Sequence, residues 1–250
     1  MSNVMLLYKQ VVALSRNEHK SLKLKPLKDF EFAAHAHWVP AAGIEFYRAA
    51  KFYPIVFAGE GDALAPILLL GLKSGQNDFV DKNMQWRKDT YIPAFIRRYP
   101  FVLADTGAAN KDLTVCLDIA CPALNETEGR ELFKEDGSNG DVFNDILKFM
   151  KDFTIEMERT KHFVSELKKL DLLIKRNANI RKADGPSFQV QDFLAVDEEK
   201  FSKLSGAELE SLHKQGFLGW IFAHLMSLNT LTDLFDMHLN HQDSTTQAVH

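Results

Sequence analysis

Apolar positions in the first half of the chain fall into short runs separated by turn signals, and two of those runs repeat. Tyr53-Pro54-Ile55-Val56-Phe57-Ala58 answers to Tyr99-Pro100-Phe101-Val102-Leu103-Ala104 at an offset of 46 residues. Each is preceded by a short apolar-aromatic segment, one starting at Glu45 and the other at Tyr91. Proline lacks an amide hydrogen and pushes the residue before it into an extended conformation, so a helix stops there. The apolar run that follows is too short for a helix and suits a buried strand. The pattern predicts a short helix ending at the tyrosine and a central buried strand, used twice.

Further strands are predicted at residues 11–14, 30–34 and 65–72, the last followed by a turn at Gly71, Gly75 and Asn77. Residues 113–119 alternate, with Leu113, Val115, Leu117 and Ile119 on one side and Thr114, Cys116 and Asp118 on the other. About six strands are enough for one sheet of ordinary size. From about residue 138 helical periodicity takes over. Val142, Ile146, Met150, Phe153, Met157, Val164, Leu167 and Leu170 trace one stripe that reaches Ile174, with a break near Thr160 envisaged. Residues 177–186 read as a loop and residues 188–196 as a short apolar piece. Ser205 and Glu208 have the spacing of a capping box on a helix ending at Gly216. A last helix is expected over residues 217–238, and residues 240–250 read as a disordered tail. The fold class is α+β. One domain over residues 1–239 is expected, its mixed or antiparallel sheet in the N-terminal half packed with a helical C-terminal half, because each half needs the other as cover.

Composition narrows the function classes. The chain has 250 residues, 46% of them hydrophobic, and a net charge of −4 with acids and bases interspersed. That balance argues against nucleic acid as the main partner. Two cysteines, Cys116 and Cys121, exclude a disulfide scaffold and suit a reducing compartment. No basic region precedes the apolar start, and the longest uncharged apolar run is far shorter than the roughly 20 residues a bilayer span requires. A cytoplasmic protein without a membrane span is expected.

Candidate chemistry is sparse. His35 and His37 would share one face of a strand and reach a single metal, but no carboxylate follows at residues 41 and 42. Two surface histidines are the preferred reading, and no metal or cofactor is expected. Phosphate loops and nucleophile elbows are absent from the sequence. The stretch from Trp86 to Phe101 interleaves aromatic rings with Arg87, Lys88, Arg97 and Arg98. Such a surface can recognise a carboxylate, whereas the structural alternative uses Arg97 and Arg98 to complement the end of a helix.

Several ordered pieces carry a family resemblance. Glu45-Phe46, Tyr53-Pro54-Ile55-Val56-Phe57, Gly71-Leu72, Gly75-Gln76-Asn77, Trp86, Tyr91-Ile92-Pro93-Ala94, Arg97-Arg98-Tyr99-Pro100-Phe101 and Leu132-Phe133-Lys134-Glu135-Asp136-Gly137 follow the pattern of SapC-like bacterial proteins. Arg16 and His19 also fit it, and the similarity covers nearly the whole chain. The resemblance implies a protein named for association with a surface layer, and an accessory role in uptake or modification. It brings no catalytic residues. The expected function is a non-catalytic accessory or binding protein that recognises a partner protein or small acidic ligand through Trp86, Tyr91, Arg97 and Arg98, with His19. The alternatives are an enzyme or enzyme accessory with a polar pocket around His35, His37 and Glu45, and a surface-layer component.

Overall fold

A computed structural model describes residues 7–104, 114–182 and 185–247, with residues 242–247 as backbone. Its strands are β1 (Val11–Ala13), β2 (Lys23–Leu24), β3 (Trp38–Pro40), β4 (Ile55–Ala58), β5 (Ala65–Leu69), β6 (Phe101–Ala104), β7 (Thr114–Asp118), β8 (Leu124–Asn125), β9 (Arg130–Glu131), β10 (Leu173–Arg181) and β11 (Ser187–Val196). Its helices are α1 (Phe46–Ala49), α2 (Ala94–Arg97), α3 (Asp141–Lys169), α4 (Glu198–Ser202), α5 (Gly206–Lys214), α6 (Phe217–Ser227) and α7 (Thr230–Gln247).

The α+β class stands, but the described strands form three antiparallel sheets instead of one. Their orders are β1-β7-β6, β10-β11-β4-β5-β3 and β8-β2-β9. The first Tyr-Pro strand, β4, is central, pairing Val56 with Ile67 on one side and Phe57 with Leu194 on the other. The second, β6, is an edge strand, because the alternating β7 takes the middle of its sheet and pairs with both β1 and β6. Neither short helix reaches its tyrosine. The helix before each ends a few residues earlier, and turns carry the chain into Tyr53 and Tyr99.

Alternation on β7 separates two apolar cores. Cys116 joins the larger core with Tyr53, Val56 and Phe57, while Leu117 faces a smaller one with Phe101, Leu132 and Phe143. Helix α3 serves both cores. It contributes Phe143 and Met150 to the smaller core and Phe163, Val164 and Leu167 to the larger. It runs without a break through Thr160, whose hydroxyl donates back to Glu156 O at 2.6 Å and accepts from Gly43 N at 2.8 Å. A side chain at Gly43 would collide with the Trp220 ring, so glycine lets the 3₁₀ turn Gly43–Glu45 lie against α3 and α6.

Three other expectations change. Residues 30–34 are a 3₁₀ turn over Glu31–Ala33, where Asp29 Oδ1 accepts from Glu31 N and local bonding displaces ladder pairing. The long stripe ends at Lys169, and Asp171, at a φ of 52°, stops the helix. Part of the expected loop at residues 177–186 is strand β10, paired with β11 around a bulge at Arg176 and Ala178. Strands therefore extend into the C-terminal half, and this hairpin extends the β4 sheet. The last helix breaks after Ser227, and α7 continues through residues 240–247, where a disordered tail was expected. Residues 248–250 lie outside the described residues. The Ser205–Glu208 box forms as expected, with Ser205 N donating to Glu208 Oε2 at 2.7 Å.

Candidate functional site

The two Tyr-Pro units meet at their first residues. Glu45 closes the 3₁₀ turn, is buried, and accepts from Ala42 N at 3.1 Å through Oε2. Its Oε1 accepts from Ala94 N at 2.6 Å and from the Tyr91 hydroxyl at 2.8 Å. Burial pushes the Glu45 carboxyl above its ordinary pKa, and these hydrogen bonds oppose that shift. Burial, followed by the charge of Glu45, also raises the Tyr91 phenol.

Arg97 stands at the exposed end of α2. Its Nη2 donates to the Tyr91 hydroxyl at 3.0 Å and its Nε to Ile92 O at 3.1 Å. The guanidinium lies 5.6 Å from the Tyr91 ring centre and 5.3 Å from that of Phe149 on α3. These contacts use two of its five donors. Among the described residues no carboxylate forms an ion pair with it.

Arg98 turns the other way, into the protein, and is 8% exposed. Its guanidinium stacks 3.8 Å from the Phe95 ring centre, with Tyr8 at 5.9 Å and Phe153 at 5.8 Å. Nε and Nη2 have no hydrogen-bond partner. The nearby Tyr8 hydroxyl donates to Phe101 O at 2.8 Å. Burial lowers the Arg98 pKa, with the neighbouring Tyr8 opposing that shift.

Two clefts flank Arg97 and share Phe149 with it. One, of about 360 Å³, is lined by Ile44, Glu45, Tyr91 and the α3 residues Asp152 and Glu156. The other, of about 280 Å³, is lined by Arg97, Arg98, Arg130 and apolar side chains from β6 and α3. At the second rim Arg130 lies 3.8 Å from Asp145.

The remaining sequence candidates lie elsewhere. Trp86 is buried against Phe30 and Phe79 beside the Val80–Trp86 bridge, and it lines neither Arg97 cleft. It lines a separate cleft, of about 720 Å³, beside Asp78, His241 and Met237. His19 closes a turn, accepting from Ser15 N at 2.9 Å, while Arg16 donates to Gly137 O at 2.7 Å. His19 lines neither Arg97 cleft. His35 and His37 lie before β3, not on a strand. Both turn to the backbone of one residue, His35 Nδ1 lying 3.0 Å from Gly75 O and His37 Nδ1 accepting from Gly75 N at 3.5 Å. Glu45 is bonded to Tyr91 and the α2 start, so it does not complete a pocket with these histidines.

Sequence reasoning missed Phe149 and Arg130 at this site. The first lies among the ordinary helix positions of α3, and the second is on a two-residue strand. The pairing of Glu45 with Tyr91 had a signal, since both open their repeat unit at the same offset of 46.

The fold and site define an α+β protein with a small cleft lined by arginines and aromatic rings beside its longest helix. The chain belongs to the SapC family, whose model matches residues 14–234. No curated protein and no solved structure matches the chain. No helix among the described residues is long and apolar enough to cross a membrane.

Proposed function

We propose that this SapC-family protein is a non-catalytic binding protein that holds the carboxylate of a small ligand at Arg97. The observation that carries this reading is the state of that guanidinium. It is braced by Tyr91 and Ile92, lies 5.6 and 5.3 Å from two ring centres, and lines two clefts with no ion pair to a carboxylate of the described residues. A planar fork held in this way loses little freedom when it binds a carboxylate through two parallel hydrogen bonds. The enzyme alternative loses support because His35 and His37 are engaged with a backbone turn away from Glu45. We treat the chain as one working unit, since α3 feeds both cores.

Binding of 3-phenylpropionate to wild type, Arg97→Lys and Tyr91→Phe tests the reading. Lysine keeps the charge but removes the fork, and about tenfold weaker binding at an unchanged melting temperature is expected. Equal binding by wild type and Arg97→Lys would remove Arg97 from the site.

A further inference from the structure

Arg98 presents an anomaly that Arg97 does not. A guanidinium is costly to bury without a counter-charge, and ring faces replace only part of its hydration. Arg98 is nonetheless 8% exposed and has no ion pair among the described residues. Its two unpartnered atoms are Nε and Nη2, the neighbouring nitrogens of one guanidinium edge. That edge matches the two oxygens of a carboxylate side-on.

The cleft beside it is lined mainly by apolar side chains, with its arginines, Tyr99 and Asp145 as the polar exceptions. Its walls include Phe101 of β6 and Ile146, Phe149 and Met150 of α3. Arg130 is already offset by Asp145 at the rim, so one buried and one exposed guanidinium remain to be neutralised. A volume of about 280 Å³ lies just below the usual range of ligand sites, about 300 to 1,000 Å³, and restricts the cleft to a small ligand. One fork, buried on Phe95 behind these walls, suits a single negative charge on a short apolar body.

We propose that this cleft takes an apolar monocarboxylate head-first, its carboxylate on Nε and Nη2 of Arg98 and its hydrocarbon body along Ile146, Phe149 and Met150. The proposal rests on the reading that an acidic group is recognised at this face, and it assigns the inner anchor and the ligand class. Arg97 at the rim then attracts the anion, and the cleft's lining side chains part to admit it.

Calorimetric titration with octanoate, butanoate and octanamide tests this. Wild type should bind octanoate more tightly than butanoate, and at least tenfold more tightly than octanamide. Arg98→Met should lose at least tenfold in octanoate affinity and leave octanamide unchanged. Because that variant removes a buried group, the Arg98 Nε–H resonance of wild-type protein provides a second readout and should shift on saturation with octanoate. Octanoate binding that survives Arg98→Met, or an unmoved Nε–H resonance at saturation, overturns the proposal. If 3-phenylpropionate binding still depends on Arg97 in either case, the proposed function stands. Failure of wild type to bind octanoate overturns the proposal, and failure to bind 3-phenylpropionate as well removes the proposed function with it.

Discussion

The Tyr91 hydroxyl donates to Glu45 Oε1 at 2.8 Å, joining the first residues of two sequence units that lie 46 positions apart. The same carboxylate oxygen accepts from Ala94 N, and the same phenol accepts from Arg97. Tyr53, the tyrosine of the first unit, donates its hydroxyl to Tyr91 O. The paired units therefore brace each other where the second one presents Arg97. Removing the phenol with Tyr91→Phe should cost about 1–3 kcal/mol, because a buried carboxylate oxygen loses a donor. Urea denaturation of the two proteins at one pH measures it, and equal midpoints would show that the bridge contributes nothing.

Glu45 carries a pH signature. Its folded-state pKa is raised by burial, so the folded protein holds this proton more tightly than the unfolded chain does. The stabilisation it provides is fully present below the ordinary carboxylate pKa and is lost as pH rises through the raised one. The stability difference between wild type and Glu45→Gln should therefore shrink with rising pH across that window. A difference that stays constant or grows contradicts the assignment.

Charge insertion ranks the two Tyr-Pro strands. Val56 is buried on central β4, and Val102 is buried on edge strand β6. Val56→Asp should abolish the cooperative thermal transition, since an aspartate there has no partner and no route to water. Val102→Asp should also be severely destabilised, but less so. A Val56→Asp protein that melts like wild type would contradict the core assignment.

Local rules made much of this fold legible. Proline punctuation located β4 and β6, period-two alternation located β7, and the Ser205–Glu208 spacing located the start of α5. Elements whose pattern is set by tertiary partners were not legible. Strand β10 exposes Asn177 and Asn179, so residues 177–186 resemble a polar loop until Ile180 finds the core, while residues 188–196 show as an apolar piece without a partner to mark them as strand. At the site, Arg97 and Tyr91 could be paired because they lie within one helical approach. Phe149 arrives on α3 from a distant part of the chain, and Trp86 packs against Phe30 and Phe79 beside its bridge to Val80.

His224 is a core residue with a second pH signature. Its Nδ1 donates to Ile55 O at 2.8 Å and its Nε2 accepts from Val196 N at 3.0 Å, tying α6 to β4 and β11 as a neutral ring. Burial lowers its pKa to about 4, against an unfolded value of 6.5. The unfolded chain therefore takes up a proton first as pH falls. Stability should drop by roughly 3 kcal/mol between about pH 6.5 and pH 4. Comparing the pH dependence of denaturation midpoints with that of His224→Gln isolates this share, and parallel profiles would contradict it.

Carboxylate recognition beside Arg97 is tested most directly by titrating wild-type protein with 3-phenylpropionate and with 3-phenylpropanamide, which differ in the charged group alone. We expect saturable binding of the acid at one site, and at least tenfold weaker binding of the amide. Equal affinities, or no binding of the acid at millimolar concentration, would contradict the central claim.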